Sequence, residues 1–248
     1  MSPTQQLCVV LVEPSGPLNV GSVARLCANF GIQDLRLVAP RCSSADPEAQ
    51  RMAVHGLAVL EQARCYPDLI SALADCRRVV ATCGRLDHGE IPLHPPEQVL
   101  PWLLNAPEAG DGDSPRAALV FGREDRGLSN DELLLSQRVI QLHSHASYPS
   151  LNLSHAVAVV LHELERLRRG SAPNDSQPSP AGPSELEPCL KDAEALLLEV
   201  GFLLEHTAHA RMAKLRGLLQ RAMVRSEEVA LVRGMVRQLR WAIHRDRS

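Results

Sequence analysis

The 248-residue sequence predicts an α/β protein with a small all-helical unit behind it. Three observations predict this. Short β-branched apolar runs alternate with stretches of helical spacing up to about residue 168. Apolar strands bounded by helices imply a parallel sheet covered on both faces. A stretch rich in Gly, Ser, Pro and Asn then separates this part from a basic helical end.

In chain order, residues 7–12 read as a strand and 20–30 as a helix. Residues 35–38 are a second strand, followed by a helix over 51–62 with apolar positions at 54, 57 and 58. A strand at 78–82, a helix at 96–104 and a strand at 117–121 come next. Ser129 and Glu132 then form a capping box, in which each side chain satisfies the other residue's free amide. A fifth strand at 139–142 leads to a long helix over 152–168. We expect an α/β domain over 1–169, a flexible linker over 170–187 and a basic helical unit over 188–248. Helical spacing there covers 188–204, 207–224 and 227–244.

Composition narrows the class. Apolar residues make up 45%, enough for a sizeable core, while aromatics are only 3%. The seven Cys, at 8, 27, 42, 65, 76, 83 and 189, include no CxxC pair. Their odd number and apolar settings predict reduced core thiols and a cytoplasmic protein, not a disulfide framework or zinc site. The N-terminus lacks the pattern of a signal peptide, and no apolar run approaches a membrane span. No His pair has ligand spacing with a nearby Glu, so no metal is expected.

The net charge of −3 hides an asymmetry. From residue 211 onward ten Lys and Arg face three acids, a net of +7, which leaves −10 on the first 210 residues. Such a tail fits either a polyanion-binding segment or a helix with a solvated charged face.

Three blocks at strand ends carry the chemistry. Asn19-Val20-Gly21-Ser22-Val23-Ala24-Arg25 follows the first strand and offers a helix N-terminus to an anion, with Arg25 about one turn in. A single glycine is not a dinucleotide fingerprint. Phe121-Gly122-Arg123-Glu124-Asp125-Arg126-Gly127-Leu128 closes the strand at 117–121. Its two bracketing glycines suggest backbone geometry beyond that of a plain turn. Tyr148-Pro149-Ser150-Leu151-Asn152-Leu153-Ser154 follows the fifth strand, and an N-cap alone would explain Ser150 or Asn152.

Together the blocks, NxGxxAR, GxExxGL and SLNLSxA in order, resemble the SpoU branch of the SPOUT RNA methyltransferases, and the TrmJ subgroup in particular. The stretches VEPxxPxNVGSVAR and FGRExxGLSNxEL carry that closer likeness. The resemblance implies a trefoil-knotted parallel-sheet domain, a homodimer with a site built from both subunits, and S-adenosylmethionine as methyl donor. It implies transfer to a ribose 2′-hydroxyl of tRNA, on cytidine or uridine at position 32 of the anticodon loop. Another tRNA position or rRNA is the alternative within the class, and a non-catalytic RNA-binding knot the alternative outside it.

Carried over by position, the resemblance makes Arg25 the residue at the 2′-hydroxyl, either stabilising alkoxide charge or orienting the group while a phosphate takes its proton. It puts the cofactor against Thr82, Cys83, Gly84, Gly122, Leu142, Pro149, Ser150 and Leu151. Asn19, Glu124 and Asn152 would brace the site and position RNA, and Arg85 and Arg123 would contact phosphate. The sequence departs from the family pattern at His143, where relatives often carry Pro, and at Cys83-Gly84, where small polar pairs are common.

Overall fold

A computed structural model describes residues 7–84, 88–104, 116–145, 150–170 and 180–245. Strands β1 (Leu7–Val12), β2 (Asp34–Val38), β3 (Arg64–Tyr66), β4 (Cys76–Thr82), β5 (Arg116–Phe121) and β6 (Arg138–Ile140) form one sheet in the order β3-β2-β1-β5-β4-β6. Every pairing is parallel. The sheet has one strand more than the sequence pattern suggests. β3 escaped it because it is three residues long, sits on the outer edge and exposes Arg64 and Cys65, so it carries no apolar run.

The sheet is buried on both faces along its central strands, as their largely apolar sequences require. Val9, Leu11, Leu35, Leu37, Leu119 and Phe121 pack on one side with α1 (Pro17–Asn29), α5 (Pro96–Leu104) and α7 (Leu153–Gly170). Cys8, Val10, Val12, Val79, Ala118 and Val120 pack on the other with α4 (Leu69–Ala72) and α6 (Asn130–Leu133). One residue breaks the apolar pattern of β2. Arg36 is fully buried and held by Asp34 at 2.7 Å and Asp75 at 2.5 Å, which compensates the charge inside the fold.

The helix expected over 51–62 is instead α2 (Pro47–Ala53), a tight 3₁₀ turn (Val54–Gly56) and α3 (Leu57–Glu61). Packing overrides propensity here. A Cβ on Gly56 would lie 2.6 Å from the Ala24 carbonyl oxygen and the Arg25 Cα, so the turn presses backbone against backbone on α1. Val54 accepts a left-handed φ of 48° to make that approach. Gly21 is used the same way: a Cβ there would stand 2.1 Å from the Ala49 carbonyl oxygen.

Strand β6 is flanked on both sides. β4 pairs with one edge, and on the other the His94 amide donates to Val139 O at 2.9 Å while its carbonyl accepts from Gln141 N at 3.0 Å. The connection between β4 and α5 therefore passes outside β6.

Beyond α7, helices α8 (Pro183–Glu199), α9 (Glu205–Arg221) and α10 (Ser226–Arg245) enclose a core of Leu186, Cys189, Leu190, Leu203, Met212 and Val229. Helix α8 begins inside the segment expected to be linker, with Pro183 in its first turn, where a missing amide costs nothing. Residues 171–179 of that segment lie outside the described residues. The helices also touch the sheet domain: Arg77 pairs with Glu185 at 2.7 Å, and the Gln220 carboxamide donates to Leu135 O at 3.3 Å. No described helix is long and apolar enough to cross a membrane. No disulfide joins any of the seven cysteines, all of them among the described residues, and five are buried.

Candidate active site

Parallel strands end together, and their loops gather at the carboxyl edge of the sheet. At the ends of β4, β5 and β6 these loops enclose a cleft of about 480 Å³, within the size range of small-molecule sites. Thr82, Cys83 and Gly84 enter it after β4, Gly122 after β5, and Leu142, Ser150 and Leu151 after β6. Seven of the eight expected cofactor positions thus meet in one place, although they are up to 69 positions apart. The eighth, Pro149, lies outside the described residues, as does Arg85.

The loop after β5 explains its two glycines. It folds back on itself, with the Gly127 amide donating to Arg123 O at 3.0 Å. A Cβ on Gly122 would stand 2.3 Å from Gly127 C and Leu128 N, and Gly127 itself takes a φ of 67°. Neither position tolerates a side chain without opening the loop.

Glu124 leaves this loop and ends at the start of α1. Its carboxylate accepts from the Gly16 amide at 3.0 Å, the Ser15 amide and hydroxyl at 3.1 Å each, and the Asn19 carboxamide at 3.2 Å. Helix α1 has no side-chain cap of its own, so an acid 108 residues away in sequence caps it. The amides the sequence seemed to offer to an external anion are therefore occupied from within. Although desolvation opposes it, donation from Gly16, Ser15 and Asn19 holds the Glu124 carboxyl below its ordinary pKa.

Asn152 is the N-cap of α7. Its side-chain oxygen accepts from the Ser154 hydroxyl at 2.7 Å and the Ser154 amide at 2.9 Å. Thr82 is tied down by its hydroxyl, which donates to Val120 O at 3.2 Å.

Two expectations need correction. Arg123 is not turned outward to phosphate. Its guanidinium is nearly buried, donates to both Glu132 oxygens at 2.8 Å, and pairs with Glu13. With both carboxylates satisfied, it clamps the loop between β1 and α6. The same clamp, with Arg41, pulls Glu13 down to about 2. Arg25 lies eight positions into α1, more than two turns rather than one, because the helix begins at Pro17. Its side chain is exposed and does not line the cleft.

The sequence reading missed Ser15 and Gly16 as partners of Glu124, and Arg126 and Ile140 as cleft residues. Only the acid at Glu13, ending an apolar strand, hinted that the β1 loop joins this network.

The model of the SpoU rRNA methylase family matches residues 6–162, from the first strand into α7. The chain belongs to the SpoU rRNA methylase family. Helices α8, α9 and α10 fall beyond the family's shared domain, yet full-length relatives include them. A Klebsiella pneumoniae protein named tRNA (cytidine/uridine-2′-O-)-methyltransferase TrmJ is 34% identical over 94% of this chain and 95% of its own. A Methanocaldococcus jannaschii protein named tRNA (cytidine-2′-O-)-methyltransferase TrmJ is 36% identical over 64% of this chain and 66% of its own. The crystal structure of TrmJ from Z. mobilis ZM4 superposes with a TM-score of 0.81, at 32% identity, over 94% of this chain and 98% of that one. The second and third sequence blocks line the cleft at the ends of β4, β5 and β6, and the first meets it through the Asn19 contact to Glu124.

Proposed function

We propose that this chain is an S-adenosylmethionine-dependent methyltransferase acting on a ribose 2′-hydroxyl of tRNA, on cytidine or uridine at position 32. The cleft carries this reading, because three separated loops converge there in a chain whose whole-length relatives are named tRNA (cytidine/uridine-2′-O-)-methyltransferases. The cleft suits the donor: glycine-lined backbone at Gly84 and Gly122 leaves room for an adenosine, and Ile140, Leu142 and Leu151 give it apolar walls. Thr82, Cys83, Gly84, Gly122, Leu142, Ser150 and Leu151 would hold it, with Pro149 beside them. When bound, S-adenosylmethionine supplies a methyl group on a sulfonium.

The remaining work falls to this chain's residues. A 2′-hydroxyl is a weak nucleophile at neutral pH, so its orientation and charge must be managed. Arg25 is the residue assigned to that hydroxyl, where its fork of N–H donors would orient the group or stabilise developing negative charge. Glu124 and Asn152 hold the loops and helix starts in register. Because Arg25 stands outside the cleft of its own chain, a homodimer in which one subunit's α1 faces the other's cleft completes the site. The β4–α5 connection running outside β6 supports the trefoil knot. The segment between α7 and α8 would join an α/β catalytic domain to a helical unit that contacts the tRNA body, and cysteines without disulfides agree with a reducing cytoplasm. The rRNA in the family's description keeps rRNA as the second reading.

The test is methyl transfer from labelled S-adenosylmethionine to tRNA lacking the modification, with mapping of 2′-O-methyl sites. Label at position 32 is expected. No incorporation into tRNA refutes the reading, and label in rRNA alone selects the second one.

A further inference from the structure

A second cleft, of about 360 Å³, opens where the helical unit meets the sheet domain. It lies between the start of β6 and helix α9, and nothing in the proposed methyl transfer uses it. Its floor is apolar, formed in part by Leu133, Val139 and Met223. Its polar edge contains Arg138 from β6 and Arg221 from the last position of α9, and no described acidic residue lines it. α9 can come this close because Gly217 leaves no side chain against Leu134; a Cβ there would stand 2.7 Å from the leucine Cδ2.

Arg138 is in an unusual position for a cation. It stacks on the Trp102 ring at 4.7 Å, while Arg78 stacks on the same ring at 4.9 Å. Among the described residues no carboxylate pairs with Arg138; its contacts are the Gln98 carbonyl at 3.5 Å and the Met223 sulfur at 4.0 Å. Burial lowers the affinity of Arg138 for its proton, and Arg78 is lowered to about 10 by burial and by its neighbour Arg138. The Arg221 side chain is exposed and makes no ion pair or hydrogen bond among the described residues. A part-buried guanidinium with no described carboxylate partner, beside an exposed one, favours an anion, and two guanidinium forks suit a phosphate.

We propose that this cleft is a phosphate subsite for the RNA substrate, in which Arg138 and Arg221 grip one backbone phosphate at the junction of the two parts of the chain. The inference rests on the RNA-methyltransferase reading above. It adds a defined contact to what would otherwise be a diffuse basic surface, and it ties α9 and β6 to the RNA together.

The full-length protein and two variants, Arg138→Gln and Arg221→Gln, test it by tRNA affinity across a salt series. Arg221→Gln removes an exposed side chain with no partner among the described residues, so its fold is secure, and Arg138→Lys keeps the charge should Arg138→Gln weaken packing on Trp102. Each glutamine variant should bind tRNA about tenfold more weakly and lower the log–log salt slope by about 1, with S-adenosylmethionine affinity unchanged. Arg138→Lys should recover part of the loss. If wild type methylates tRNA but both glutamine variants keep its affinity and slope, the subsite is wrong while the function stands. If wild type neither binds nor methylates tRNA, the functional reading has failed and takes the subsite with it. If adenosine 5′-monophosphate raises the melting temperature of wild type but not of the variants, while the tRNA salt slope is unchanged in all three, the cleft serves a free nucleotide and the RNA assignment is overturned.

Discussion

Replacing Glu124 by alanine should separate bracing from chemistry. The carboxylate accepts from two backbone amides, one hydroxyl and one carboxamide at the start of α1. Losing an N-cap costs about 0.5–2 kcal/mol, and losing negative charge at a helix N-terminus about 0.3–1 kcal/mol. Because Glu124 is exposed, water takes over the freed amides, and the lower half of the combined range applies, about 1.5 kcal/mol. For a chain of this length that is roughly 3–6 °C in melting temperature. Glu124→Gln keeps an acceptor and loses only the charge, so about 0.5 kcal/mol is expected. Asn19→Ala should add little on the Glu124→Ala background, since its partner is already gone. Thermal unfolding of the three variants and the double variant gives these numbers, and single-turnover methyl transfer gives activity. Transfer should fall in proportion to the lost cap, with glutamine retaining most of it. An alanine variant as stable as wild type but inactive would refute the bracing role and place Glu124 at the substrate.

Other outcomes follow from the same geometry. Gly122→Ala should cost about 3 kcal/mol and abolish S-adenosylmethionine binding by calorimetry, because the new methyl meets backbone that cannot retreat. Glu13 has its folded pKa lowered to about 2 from an ordinary 4.5, chiefly by the hydrogen bond from Arg123. A depressed carboxylate contributes stability above its unfolded pKa and loses it as pH falls through the folded value. Unfolding free energy measured in urea should therefore drop between about pH 4.5 and 2, and Arg123→Met should flatten that part of the profile. An unchanged profile would mean the Arg123 clamp is not what holds Glu13 ionised. Arg25→Ala should abolish transfer and leave S-adenosylmethionine affinity within about twofold, since Arg25 does not line its own chain's cleft; equal loss of both would make it structural.

Much of the fold was legible because burial on both faces leaves strands that are apolar at every position, and β1 reads so without exception. The missed β3 and the broken helix over 51–62 show the limit. An exposed edge strand has no apolar signature, and Gly56 breaks its helix for contact with Ala24 and Arg25, a partner far away in sequence. The site was legible as three blocks, yet the meaning of the first two was set by partners distant in sequence. Nothing local to Glu124 says that it caps α1, and nothing local to Arg123 says that Glu13 and Glu132 take up its charge. Asn152 is the opposite case, an N-cap that its own neighbours satisfy.

The strand order has a temporal consequence during synthesis. β1 lies between β2 and β5, and β5 begins 109 positions after β1 does. At about 5–20 residues per second, the ribosome needs roughly 5–20 s before β1 can gain its second neighbour. Through that interval one edge of an entirely apolar strand has no native partner, a condition that slows folding and invites pairing with other chains.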